Sequence, residues 1–133
     1  MSNIIRLPFP HADLFPNRKN GKHWTATKAV KDKQRDDAYN VTKQAVAGLT
    51  LPSGYIPLSL LFLTPDKRKR DADNMLAASK AMLDGMAQAM GIDDSRFKPV
   101  LVDWCNCPNK VGALIVGVNV QMTMAVEFGG VNP

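Results

Sequence analysis

The chain has 133 residues, of which 45% are hydrophobic and 22% are charged, and its net charge is +5. This length suits one globular domain, and the composition excludes disordered, collagen-like and coiled-coil proteins. No apolar run reaches the roughly 18 residues of a membrane span, the first ten residues lack the apolar core of a signal peptide, and only two cysteines are present. We therefore predict a single domain over residues 1–133 in the reducing cytoplasm, without a membrane partner.

The first half of the chain predicts two strands separated by a helix. A short strand over residues 3–9, ended by prolines, leads through a basic loop to a helix over about 25–47. Gly48 lies where a helix-ending glycine is expected. The run YIPLSLLFL at 55–63 predicts a strand that is buried on both faces.

The second half predicts a helix followed by two strands. Methionines and leucines at helical spacing indicate a helix over 74–90, which Gly91 ends. Strands over 97–104 and 112–124 are expected to form a hairpin, and residues 129–133 a frayed tail. The order strand, helix, strand, helix, strand, strand predicts a mixed α/β (α+β) fold, with one mixed sheet of about four strands and two main helices packed on it.

Charge is distributed unevenly along the chain. Residues 1–70 contain 13 Lys and Arg against 5 Asp and Glu, a net +8, whereas residues 71–133 contain 4 against 7, a net −3. A basic half beside an acidic half indicates a polyanion-binding surface next to groups that require carboxylates.

The acidic residues bracket the second predicted helix. Asp71 and Asp73 lie one residue apart where the buried strand leads into that helix, so both can point at one small volume. Asp93 and Asp94 follow its other end, and we expect the chain to fold back so that this pair meets the first. Clustered carboxylates repel one another unless a cation neutralises them. This predicts a Mg²⁺ site, because that ion takes oxygen ligands and retains waters and substrate phosphate.

Structural roles for the same residues remain open. Asp73 suits a helix N-cap, Asp71 can balance Arg70, and the later pair suits a turn. On a continuous helix, Asp73, Lys80 and Asp84 fall on one line. Lys80 can therefore approach a phosphate near Asp73, or it can form an i,i+4 ion pair with Asp84, which is the role we expect for Asp84.

Two basic segments indicate contacts with a phosphate backbone. One precedes the acids directly, and the other is the first loop, which also contains His23 and Trp24. The residues expected to bind DNA are Arg18, Lys19, Lys22, Lys67, Arg68, Lys69 and Arg70. Cys105 and Cys107 lack the spacing and the second ligand pair of a zinc site.

Taken together, these segments resemble the RusA-type Holliday junction resolvases, particularly the phage-borne ones. The likeness rests on LPFP, PNRKNGKHW, RDADN, KAMLDGM and GIDDS, in matching order over residues 4–120. It implies a homodimeric, Mg²⁺-dependent endonuclease, with Mn²⁺ as a substitute metal. Such an enzyme nicks four-way DNA junctions symmetrically in recombination and repair.

The resemblance also implies roles for individual residues. The positions that match the family's essential metal-binding acids are Asp71, Asp73 and Asp94, and Asp93 matches an accessory acid. The family's lysine falls on Ala77, so Lys80, three residues later, is the nearest candidate. Two alternatives are a non-catalytic basic module that binds DNA or RNA and a phosphohydrolase of small nucleotides. Mg²⁺-dependent strand breakage distinguishes the nuclease from the binding module.

Overall fold

A computed structural model describes residues 3–16, 24–106 and 110–120 of the chain. These ranges contain four strands and three helices, with short 3-10 turns at Ala12–Leu14 and Asp94–Arg96. In chain order the elements are β1 (Ile4–Leu7), α1 (Trp24–Ala45), β2 (Ile56–Thr64), α2 (Ala72–Ala78), α3 (Lys80–Met90), β3 (Phe97–Asn106) and β4 (Ala113–Val118). Of the helices in this part of the chain, none is long and apolar enough to span a membrane.

The four strands form one open mixed sheet in the order β1-β4-β2-β3. β2 pairs with β3 in parallel and with β4 in antiparallel orientation, while β1 pairs with β4 in antiparallel orientation. The predicted mixed α+β fold with a four-stranded sheet is confirmed. The predicted hairpin between the last two strands is wrong, because β2 lies between β3 and β4. Strand β2 is the most continuously apolar of the four, and its central position gives it a hydrogen-bonded neighbour strand on each side.

The helices and one face of the sheet enclose the core. Alternate residues of β2 point into it, including Leu58, Leu60 and Phe62, each at most 1% exposed. Helices α1 and α3 cross closely at Gly85, where a Cβ atom would collide with the backbone carbonyl of Arg35. This position therefore admits only glycine without a backbone shift.

The second predicted helix is divided in two at Ser79, so the prediction of two main helices is corrected to three. Ser79 has φ −95° and ψ 1°, outside helical geometry. Its hydroxyl donates a hydrogen bond to the carbonyl oxygen of Leu76 at 2.8 Å. A serine that bonds to the preceding turn in this way competes with the helical ladder. Gly91 ends α3 in the left-handed conformation, with φ 71°, as the sequence predicts.

Candidate functional site

The segment that leaves β2 is fixed by an ion pair between Asp66 and Arg70. Nη1 of Arg70 donates to Oδ1 of Asp66 at 2.8 Å and Nη2 donates to Oδ2 at 3.3 Å. The backbone N–H of Arg68 donates to the same carboxylate at 2.8 Å. The hydrogen bond from Arg70 lowers the pKa of Asp66 to about 2, with help from the Arg68 backbone. The carboxylate of Asp66 thus closes residues 66–70 into a turn.

The four cations of this segment differ in exposure. The Arg70 side chain is 13% exposed, and its guanidinium lies 5.2 Å from the centre of the Phe9 ring. Lys67, Arg68 and Lys69 are exposed, and the Arg68 side chain is 64% exposed. Of the four cations in this segment that are predicted to bind DNA, three therefore project into solvent, whereas Arg70 fixes the turn.

Asp71 and Asp73 open helix α2 and are exposed. Asp71 is the N-cap residue, yet its side chain makes no capping hydrogen bond to any described residue, and Asp73 lies in the first turn. The suggested N-cap role of Asp73 is thus wrong. The suggested role of Asp71 as counter-ion to Arg70 is also wrong, because Asp66 occupies that guanidinium.

A second group of acids lies at the far end of helix α3. Oδ1 of Asp93 accepts a hydrogen bond from the backbone N–H of Ser95 at 2.9 Å, so its turn role is confirmed. The pKa of Asp94 is raised, first by a side-chain hydrogen bond with Asp84 and then by Asp93. Two carboxylates can share such a bond only while one of them holds a proton.

The neighbours of Lys80 and Asp84 differ from the sequence prediction. No ion pair joins these two described residues, because Asp84 faces Asp94 instead. Lys80 is exposed and opens α3 after the break at Ser79. The expected alignment of Asp73 with Lys80 on one continuous helix is therefore wrong.

The two acidic groups lie at opposite ends of β2. Ile56, the first residue of β2, pairs with Phe97 of β3, so Asp94 lies near the start of β2, while Asp71 follows its end. Nine strand residues span about 26 Å. In the described part of the chain, no three His, Cys, Asp or Glu side chains come together as metal ligands would. The prediction that the two pairs of aspartates meet within one chain is wrong. Because β2 and β3 are parallel, the connection between them returns the chain to the end of the sheet at which β2 starts.

Residues 66–70 form a cationic turn, and residues of this turn line two surface depressions that the sequence did not predict. The first, the Phe9 cleft, has a volume of about 610 Å³. Its lining includes Phe9, Phe15, Arg68, Lys69, Asp71 and Asn74. The second, the Trp104 groove, has a volume of about 490 Å³. Its lining includes Thr64, Lys67, Arg68, Lys69, Trp104 and Asn106. The aromatic residues come from distant parts of the chain, so no local motif could have linked them to the cations.

Several residues singled out from the sequence lie outside the described residues. These are Arg18, Lys19, Lys22, His23, Cys107 and the tail at 129–133. Of the cations predicted to bind DNA, the structure therefore describes those at 67–70.

The described chain is a mixed α+β protein with an open four-stranded sheet. No protein-family model matches it. An uncharacterized protein of Xylella fastidiosa (strain Temecula1) is 37% identical over 121 residues, which cover 88% of this chain and 78% of that relative. At this identity and coverage, the chain belongs to the same family as the Xylella protein.

Proposed function

We propose that the protein is a Mg²⁺-dependent, cytoplasmic endonuclease that resolves four-way DNA junctions by paired nicks, as its resemblance to RusA-type resolvases implies. The observation that carries the proposal is that Asp71 lines the same cleft as Arg68 and Lys69. The two cations can bind the phosphates of a polyanion in this cleft. The exposed carboxylate of Asp71, which makes no capping hydrogen bond, lies beside them.

The acids suit a divalent metal. Asp71 and Asp73 offer exposed carboxylates at the start of α2, and Asp94 lies against two further carboxylates that raise its pKa. A bound Mg²⁺ ion would supply charge neutralisation at a phosphodiester and a more acidic water, and Mn²⁺ could take its place. In this arrangement Lys67, Arg68 and Lys69 bind the strand, and Asn74 lines the cleft beside Asp71. Asp93 supports the turn that holds Asp94, and Lys80 remains a candidate for a phosphate contact.

A homodimer would complete the site. Within one chain the acids at the start of α2 and those after α3 lie toward opposite ends of β2, a strand about 26 Å long. A two-fold axis can place the acids at the start of α2 in one subunit against the acids after α3 in its partner. This arrangement creates two equivalent composite sites. Two sites related by such an axis match a symmetric four-way junction, which must be cut on two strands.

The first test is cleavage of a synthetic four-way junction beside linear duplex, with and without Mg²⁺. We expect Mg²⁺-dependent nicking of the junction by the wild-type protein and a loss of at least about 100-fold in Asp73→Asn. Absence of nicking by the wild-type protein under every metal condition would overturn the endonuclease proposal.

The second test is complementation between two inactive variants. In a mixed dimer of Asp73→Asn and Asp94→Asn, one composite site keeps all its acids and the other loses two. Co-expression at equal levels should restore nicking at about a quarter of the sites, since half of the dimers are mixed. Homodimers of either variant, purified separately, are the controls. A mixture as inactive as its components would exclude a site shared between subunits.

A non-catalytic DNA- or RNA-binding module is the second candidate. It is favoured by the absence of a three-residue metal-ligand group among residues 3–16, 24–106 and 110–120. Such a module would bind the junction with strong salt dependence and leave the strands intact when Mg²⁺ is added.

A further inference from the structure

Trp104 is a large aromatic side chain on the edge of the sheet beside the cationic turn. It is 42% exposed and lies near the end of β3, the edge strand. Its register partner is Phe62, and Asn106 pairs with Thr64, the residue from which the cationic turn departs. The fold therefore brings an exposed indole ring and three exposed cations to one groove of about 490 Å³.

This combination suits a nucleotide better than an apolar ligand. Lys67, Arg68 and Lys69 attract phosphates, and an indole face offers a stacking surface to any base. The groove volume falls within the range of about 300 to 1,000 Å³ that is typical of small-ligand sites. The same turn also lines the Phe9 cleft, to which Asp71 belongs.

Tyr55, at the other end of β2, provides an instructive contrast. Its side chain is also exposed, at 62%. The ammonium group of Lys98 lies 4.9 Å from the centre of its ring, so the chain's own cation covers an aromatic face. The exposed cations at the Trp104 end instead lie on a turn that is fixed by the Asp66–Arg70 pair. Exposure of an aromatic ring is therefore common to both ends, whereas a groove with several projecting cations is found at the Trp104 end.

We propose that the Trp104 groove is a subsite for unpaired DNA, in which the indole ring stacks on a base and the cationic turn binds the flanking phosphates. The inference rests on the proposed function for the choice of DNA as ligand and is independent of strand cleavage. Trp104 binds and orients the strand, and no chemical step is assigned to it.

The experiment measures binding of a fluorescently labelled oligothymidylate without Mg²⁺, so that cleavage plays no part. Trp104→Ala should bind on the order of tenfold more weakly than wild type, which lies within the cost of losing one stacked base. Trp104→Phe should retain most of the affinity, because a phenyl ring still stacks. Tyr55→Ala is the matched control and should bind like wild type. Circular dichroism verifies that each variant folds.

An abasic oligomer of equal length separates base stacking from phosphate binding. It should bind wild type and Trp104→Ala equally. Unlabelled oligothymidylate should quench the tryptophan fluorescence of wild type, whereas the abasic oligomer should not, and the quenching should disappear in Trp104→Phe. Wild-type affinity in Trp104→Ala, or an equal loss on the abasic oligomer, would overturn the subsite.

Two further outcomes distinguish this inference from the proposed function. If the protein never nicks junctions but binds DNA in a way that depends on Trp104 and on the bases, the subsite is supported and the endonuclease proposal is wrong. A protein that nicks junctions and is indifferent to Trp104→Ala keeps the endonuclease and loses the subsite. Trp104-dependent binding to anionic phospholipid vesicles, without binding to the oligomers, would likewise exclude the DNA subsite.

Discussion

At the end of β2, Asp71 and Asp73 lie next to a turn with three projecting cations, whereas after helix α3 Asp94 lies next to Asp84 and Asp93. The same residue type therefore meets opposite surroundings at the two ends of one strand. A carboxyl group beside other carboxylates, such as that of Asp94, resists losing its proton. The cationic end is suited to bind DNA, and the acidic end gains most from a bound cation.

Asp66 and Asp94 express this contrast in their pKa values. The carboxyl group of Asp66, held by Arg70, has a pKa lowered to about 2, whereas that of Asp94, facing Asp84, has a raised pKa. Burial cannot account for the difference, because it raises the pKa of both carboxyl groups. Neighbouring charges and hydrogen bonds decide it.

The largest expected effect comes from neutralising an acid at the cationic end. Asp73→Asn should reduce Mg²⁺-dependent junction nicking at least on the order of 100-fold. This is the largest loss typical of an outer-shell partner of a metal, and a direct ligand should cost at least as much. Binding should persist or tighten, because one repulsion with phosphate disappears. Gel-shift and nicking assays on the same junction measure both quantities. Asp36→Asn, at an exposed position on α1, is the control, and full activity of Asp73→Asn would remove the proposed role of this end.

Helix α3, which carries Asp84, packs closely against α1 at Gly85. Gly85→Ala should destabilise the protein by about 1–3 kcal/mol, because its Cβ would collide with the Arg35 carbonyl. The midpoint of urea unfolding measures the loss. Gly54→Ala is a matched control, since a Cβ there meets nothing within 4 Å. Equal stability of the two variants would contradict the packing that positions the acidic end.

The Asp66–Arg70 pair gives the cationic turn a stability that depends on pH. Because the folded pKa of Asp66, about 2, lies below the ordinary value of 3.8, the pair stabilises the fold above pH 3.8, and this contribution is lost as the pH falls through about 2. Asp66→Asn should therefore have a lower Tm than wild type at pH 7. The two Tm values should converge as the pH approaches 2. A constant difference across this range would show that the carboxylate charge is not the cause.

The smallest effect is expected at the acidic end and has the opposite sign. Since folding raises the pKa of Asp94, the fold is favoured most below the ordinary value of 3.8 and loses stability as the pH rises through the raised pKa. Asp94→Asn should therefore have a slightly higher Tm than wild type at pH 7, and the difference should vanish at low pH. Millimolar Mg²⁺ should raise the Tm of wild type more than that of the variant. A lower Tm for Asp94→Asn at pH 7 would contradict repulsion among these acids.

The sequence by itself determined the features that rest on local pattern. Three local features were correctly predicted: the apolar run of β2, the Met-rich helical face after Asp73 and the helix end at Gly91. Burial selects apolar residues directly, and the left-handed backbone conformation at a helix end selects glycine. The same holds for the mixed α+β class and the four strands, which follow from element order.

Only the tertiary structure decided what lies next to what. Strand order placed β2 between β3 and β4, Ser79 divided the helix, and the parallel crossover sent Asp94 to the end of β2 opposite Asp71. The position of Trp104 beside the cationic turn depends on the pairing of β3 with β2 at the sheet edge. Spacing along a chain does not encode such distances, because pairing partners and register are chosen by the burial of the whole sheet.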